Sequence, residues 1–200
     1  MKLEGRNKNM QDVGKVIKLI AKEKNIKLLE IAKNTGMVYE TLSVKLSKSK
    51  FRIAELDKIA KTLNCTVQIE FIDPDTGYKK ISDNLIVTLL SIMDEKHLNQ
   101  SELSRKIGTS KQNVSVLFKS DPDAFQIQQI ITLVNALEYS LKIVFIDNIT
   151  KKHYIICDNQ PVYKQQLEFL NSLLLDSSLS KHESDEILSK FKNYLEGEVK

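Results

Sequence analysis

Apolar positions along this chain recur in two rhythms, one helical and one alternating. Val13, Val16, Ile17 and Ile20 fall at helical spacing after Asp12, a suitable N-cap, and Asn25 closes that helix. A short helix is predicted from Lys27 to Asn34, followed by Gly36, where a tight turn needs left-handed backbone angles. A third helix is predicted from Val38 to Leu46. A fourth runs from Ile53 to Leu63, with Ile53, Leu56, Ile59, Ala60 and Leu63 on one face. The period then changes from 3.6 to 2. Val67, Ile69 and Phe71 alternate with Gln68 and Glu70, the run from Pro74 to Gly77 has turn chemistry, and residues 78–81 form a return strand.

The same order then starts again. Helices are predicted at Leu85–Lys96, Gln100–Ile107, Lys111–Lys119 and Gln126–Leu137, with strands at Leu141–Asp147 and Lys152–Cys157. At an offset of 72 positions Glu30, Gly36, Ser43 and Val44 fall on Glu102, Gly108, Ser115 and Val116. Two extra residues near Pro122 shift the offset to 74. In that frame Phe51, Ile53, Leu63, Ile69 and Phe71-Ile72-Asp73 fall on Phe125, Ile127, Leu137, Ile143 and Phe145-Ile146-Asp147. Two copies are too few for a solenoid and point to duplication of one small domain. The expected domains are 1–82, 83–158 and a tail, 159–200. Strands Val67–Asp73 and Leu141–Asp147 offer edges that would pair with each other or across a dimer.

Charge separates the copies. Residues 1–82 hold 17 Lys+Arg against 10 Asp+Glu, residues 83–160 hold 8 against 9, and the tail holds 5 against 7. The basic surface is therefore N-terminal, which suits a polyanionic partner. The first ten residues lack an apolar stretch of the secretory kind and no run approaches a membrane span, so a cytoplasmic protein is expected. Cys65 and Cys157 lack CxxC spacing and a histidine cluster, and are read as buried, reduced thiols. His97, His153 and His182 stand in unrelated contexts, without a paired nucleophile, a glycine-rich phosphate loop or a carboxylate pair. No catalytic residue, metal site or cofactor is expected.

The second and third helices of each copy carry the candidate chemistry. In residues 98–118 Asn99 and Glu102 form a capping-box-like start, Leu103 and Ile107 face inward, and small Ser104 lets the next helix approach. Gly108 makes the turn and Ser110 caps a helix whose first exposed turn presents Lys111, Gln112 and Asn113. A helix entering a major groove N-terminus first needs such a face: Lys can donate to guanine, and Gln or Asn can pair bidentately with adenine.

This segment resembles the helix-turn-helix of phage repressors and the Cro and xenobiotic-response-element family of bacterial regulators, at Gln100, Ser104, Gly108 and Ser110. The resemblance implies two tandem lambda-repressor-like helix-turn-helix modules; with the strands and tail helices read from the pattern, the expected fold is mainly α with short β-hairpins plus a C-terminal helical hairpin. It implies double-stranded DNA as partner, with Gln100 on a phosphate and Ser110, Lys111, Gln112, Asn113 and Ser115 facing phosphates or bases. Val116 falls where members of the family often carry a further polar reader.

The first copy departs from that pattern. Its second helix opens Lys27-Leu28-Leu29, Val38 replaces the capping serine, and Tyr39, Glu40 and Thr41 occupy the reading turn. Lys45, Lys48, Lys50 and Arg52 crowd the stretch after the third helix, where backbone phosphate contacts are expected. Gly36 to Leu42 also resembles the reading helix of addiction-module antidote proteins.

In the tail Tyr163, Leu167, Leu170 and Leu174 form a stripe, widened by Val162, Phe169 and Leu173, and a Ser180–Glu183 capping box opens a last helix. Forty such residues would pack on the second module or on another subunit, and a homodimer through the tail is expected. Two functional classes remain: a sequence-specific DNA-binding repressor or autoregulator of phage or mobile-element type, and a protein-binding inhibitor of a host nuclease or immune effector, or an antitoxin, using the same fold.

Overall fold

A computed structural model of the chain describes residues 12–160 and 180–197. Two compact units are present, one ending at Asn159 and one beginning at Gln160. The first contains α1 (Val13–Glu23), α2 (Leu28–Thr35), α3 (Tyr39–Lys48), α4 (Ile53–Thr62), β1 (Cys65–Ile72) and β2 (Lys79–Ile81), then α5 (Leu85–Glu95), α6 (Gln100–Lys106), α7 (Lys111–Lys119), α8 (Ile127–Ala136), β3 (Ser140–Asp147) and β4 (His153–Asp158). A one-turn 3-10 helix at Pro122–Ala124 takes up the two extra residues between α7 and α8. The second unit contributes α9 (Lys181–Gly197), opened by the reciprocal Ser180–Glu183 capping box. The apolar stripe of residues 163–174 lies outside the described residues.

The helices form where apolar spacing and caps coincide. The Asp12 carboxylate accepts the Lys15 amide and starts α1, which buries Val13, Ile17, Ile20 and Ala21. Asn84 caps α5 by accepting the amides of Ile86 and Val87. In α8 a wider stripe of Ile127, Ile130, Ile131, Leu133 and Val134 is buried, consistent with a helix under the sheet.

The four strands form one antiparallel sheet in the order β2-β1-β3-β4. β1 and β3 pair with each other over their whole length, from Cys65 opposite Asp147 to Ile72 opposite Ser140. The compact unit therefore runs across the boundary expected at residue 82. The reason is physical: a two-stranded hairpin leaves an inner edge unpaired, and the two inner edges close each other. Apolar side chains from both halves join in one core, whose bulkiest fully buried members are Phe51, Phe71, Phe125 and Phe145.

The pairing follows the sequence offset. Glu70, Phe71 and Ile72 face Ile81, Lys80 and Lys79 in the first hairpin. Residues 74 positions later face each other in the second: Val144 with Ile155, Phe145 with Tyr154, Ile146 with His153. At the centre of the sheet Ile69 faces Ile143, its own counterpart in that frame. A second contact outside the sheet has the same property: Arg52 bridges Gln126, the Ile53 amide donates to the Phe125 carbonyl at 3.0 Å, and the Ile127 amide donates to the Phe51 carbonyl at 3.1 Å.

Helices also reach across. Glu23 at the end of α1 accepts from Lys152 and from the Tyr154 hydroxyl (2.9 and 2.8 Å), on the second hairpin. Glu95, 72 positions later at the end of α5, accepts from Lys80 on the first hairpin at 2.5 Å. Lys24 pairs with Asp147, and both side chains are largely buried. That ammonium, helped by the amides of Thr150 and Ile149, holds the Asp147 carboxyl well below the usual carboxylate range.

Candidate nucleic-acid interface

Two pairs of helices joined by tight turns, α2–α3 and α6–α7, pack residues into this core. In both, the turn closes in the same way. After α6 the Gly108 amide donates to the Arg105 carbonyl (3.3 Å) and the Thr109 amide to the Ser104 carbonyl (2.9 Å), with Gly108 at φ +69°. After α2 the Gly36 amide donates to Lys33 (3.2 Å) and Met37 to Ala32 (2.9 Å), with Gly36 at φ +71°. This paired pattern terminates a helix through a left-handed residue, which favours glycine. Buried Ala32 and Ser104 keep each turn's inner side small enough for the next helix to approach.

The α6–α7 unit is anchored by sequence-visible chemistry. Asn99 accepts the amides of Ser101 and Glu102 while Glu102 accepts the Asn99 amide at 2.8 Å. The Ser110 hydroxyl accepts the Asn113 amide at 3.1 Å and opens α7, whose Val114 and Phe118 are buried. Lys111 and Gln112 are exposed on the first turn of α7, and Ser110 beside them is exposed too. Gln100 and Ser115 are half-buried. Asn113 is exposed, but its side-chain amide donates to the Thr109 hydroxyl at 3.0 Å, so one of its two polar ends is engaged within the turn.

The α2–α3 unit differs in surface and in seating. Neither Lys27 nor Val38 supplies a side-chain cap. The exposed face carries Leu29, Val38, Tyr39 and Val44 at 65, 66, 43 and 50 % exposure, with Glu40 and Thr41 between them. α3 lies hard against α1: a Cβ built on Gly14 would sit 1.8 Å from the Leu46 carbonyl oxygen. The seat is completed by Ser49, which donates to Asp12 at 2.9 Å and accepts the Gly14 amide at 3.4 Å. Of the expected basic residues, Lys48, Lys50 and Arg52 are exposed. Lys45 is half-buried and paired with Glu55 at 3.0 Å, so its charge is locally offset. These four, with Val44, Phe51, Glu55 and Gln126, line an open groove of about 470 Å³.

That geometry has a counterpart among known domains. Residues 16–69 match the family model of the Cro/C1-type HTH DNA-binding domain. The matched stretch runs from α1 through most of β1, and so covers the first helix-turn-helix rather than residues 98–118, where the reading-turn residues fit the pattern better. The residues that the sequence pattern alone did not single out are Gly14 and Ser49, which seat α3 against α1; Asp12, expected only as the N-cap of α1, also accepts the Ser49 hydroxyl. Neither the curated proteins nor the solved structures give a match to the chain.

Proposed function

We propose that this chain is a sequence-specific double-stranded DNA-binding transcriptional regulator of the repressor or autoregulator kind. It works in the cytoplasm, needs no cofactor and carries out no catalysis. The Cro/C1-type HTH domain at residues 16–69 carries the reading. Beside it, α6–α7 repeats the bonding of the turn and presents Lys111 and Gln112 free of intramolecular partners among the described hydrogen bonds and ion pairs, and we read it as a second helix-turn-helix module of the same type. In this account Lys111, Gln112 and the free carbonyl of Asn113 face base edges, and Gln100, Ser110 and Ser115 sit at or near the backbone. Lys48, Lys50 and Arg52 supply phosphate attraction, with Lys45 contributing less because Glu55 holds it. Self-association through the tail belongs to the same proposal.

Full-length protein titrated with a fluorescent duplex over a salt series tests this. Binding should weaken linearly in log–log form as salt rises. Changing Lys48, Lys50 and Arg52 together to Gln should weaken binding to every duplex alike and lower the slope by roughly one unit for each phosphate no longer neutralised. A second reading is favoured by one observation, the exposed Leu29, Val38, Tyr39 and Val44 on the first module: an antitoxin or inhibitor that docks a protein there. Absence of salt-dependent DNA binding would put it first.

A further inference from the structure

We infer that one chain is an internal pseudo-dimer, in which α3 and α7 lie across a pseudo-twofold axis and read two unlike half-sites of a single duplex. This rests on the DNA-binding reading above. A dyad between copies in one chain requires residues that meet their own counterparts, and reciprocal bonds about them. Ile69 opposite Ile143 meets the first condition at the centre of the sheet. Around it Phe71 faces Leu141 as Val67 faces Phe145, and Ile72 faces Ser140 as Thr66 faces Ile146, each pair being the other shifted by 74. The Arg52–Gln126 bridge meets both conditions a second time, its two hydrogen bonds exchanging under the same shift. The ends of α1 and α5, each bonded to the opposite hairpin through Glu23 with Tyr154 and Glu95 with Lys80, meet the second condition again. These are the self-complementary contacts of an isologous interface, made within one polypeptide.

The axis passes beside the DNA-reading elements. Lys48, the last residue of α3, is four residues from Arg52, a reach of at most about 14 Å. A ten-residue helix adds about 15 Å. These lengths permit the first turns of α3 and α7 to lie as far apart as the roughly 34 Å that separates adjacent major-groove faces on one side of a duplex. Twofold symmetry points both helices in the same direction along the axis, as two successive half-sites require.

The two readers are chemically different. α7 offers the ammonium of Lys111 and the amide of Gln112, which suit guanine and adenine. α3 offers Val38, Tyr39 and Val44, which suit thymine methyls, and Glu40, which can accept from the cytosine amino group. Near the axis the first half carries exposed Lys48, Lys50 and Arg52, whereas the corresponding stretch of the second half carries Asp121 and Asp123. The operator should accordingly be a gapped pair of half-sites with unlike sequences, held more firmly on one side of its centre.

Selection of binding sites from random duplex DNA by the full chain tests this, run in parallel on Lys111→Ala/Gln112→Ala and on Tyr39→Ala/Glu40→Ala after circular dichroism confirms unchanged folding. The expected result is two half-sites of different sequence, centred about one helical turn apart. Each variant should lose about tenfold or more preference at one half and less than about twofold at the other. A symmetric palindrome in which both halves depend on Lys111 and Gln112 and no half depends on Tyr39 and Glu40 would overturn the pseudo-dimer, since two chains would then each be reading with α7 alone. A single half-site governed by α7 alone would also overturn it, while leaving the DNA-binding reading intact. No enrichment and no salt-dependent binding would remove the DNA-binding reading, and the pseudo-dimer with it.

Discussion

Replacing Gly14 by alanine sets two simple expectations against each other, and they differ in sign. Gly14 is the second residue of α1, where alanine is intrinsically better by at most about 0.5–1 kcal/mol. On propensity alone the variant should be more stable. The structure predicts the opposite. The added methyl would lie 1.8 Å from the Leu46 carbonyl oxygen, 2.6 Å from its carbon and 2.9 Å from its Cα. All three are backbone atoms, so no side-chain rotation relieves the clash. Restoring an ordinary contact requires α1 and α3 to separate by roughly 1.5 Å, the shortfall from a normal carbon–oxygen approach. Separation would also stretch the Gly14 amide bond to Ser49, already 3.4 Å, and loosen Val13 and Ile17 from the core. Overpacking of this kind costs about 1–3 kcal/mol, more than the propensity gain. At about 2–4 °C per kcal/mol for a chain of this length, the melting temperature should fall by several degrees. Thermal and urea unfolding followed by circular dichroism would measure it. The corresponding position in the other half, Ile86, already bears a side chain, and Ile86→Ala should not reproduce the effect through any clash. A Gly14→Ala protein that melts higher than the parent would refute the close approach of α1 and α3, and with it the account of how α3 is seated.

Three further outcomes rest on buried and paired groups elsewhere in the fold. Asp147, Glu23 and Glu95 all titrate below their ordinary values, chiefly through Lys24, Lys152 and Lys80 respectively. Such groups bind fewer protons folded than unfolded, so their contribution is complete above about pH 4.5 and is lost as pH falls below it; Asp147→Asn should flatten the acid limb of a stability–pH curve. Burial pushes the Tyr139 hydroxyl and the Cys157 thiol up to about 12, Tyr139 with help from the Glu95 charge. Their contribution is present below the unfolded values near 10 and 9 and is lost as pH rises toward 12, so urea midpoints should fall across that window, less so in Tyr139→Phe. Cys65 and Cys157 are both buried, and a thiol reagent should label them in native protein far more slowly than in urea-unfolded protein.

Much of this fold was legible because local chemistry and periodicity agreed. The α6 capping box, the glycine turn, the Ser110 cap and the switch to strand at Val67 and Leu141 each depend on residues a few positions apart. Long-range pairings had no such signal. The 74-residue offset aligned Ile69 with Ile143, but an alignment cannot tell counterparts that resemble each other from counterparts that touch. Pairing across a dimer was equally compatible with it. The Lys24–Asp147 pair joins residues 123 positions apart, with nothing in either neighbourhood to suggest the other. Gly14 reads as an unremarkable helical residue until α3 is placed against it. At the candidate interface, exposure of Lys111 and Gln112 followed from helix phase. The tie between Asn113 and Thr109, and the Lys45–Glu55 pair, depended on rotamers and neighbours that spacing does not report. The family match to residues 16–69 rather than 98–118 has a similar lesson: four positions carried the resemblance of the second segment, while the match extends over four helices and a strand.

The most direct test of the central claim is the ratio of affinities for a selected duplex and a scrambled one, measured by fluorescence anisotropy at one physiological salt concentration. A sequence-specific regulator should prefer its selected duplex by about a thousandfold or more. Replacing Lys111 and Gln112 with alanine should reduce that preference by about thirtyfold or more, at about 1–3 kcal/mol for each base-edge hydrogen-bonding side chain removed, while affinity for the scrambled duplex stays close to the parent's. A parent ratio near one, or a variant that keeps the full ratio, would contradict the account.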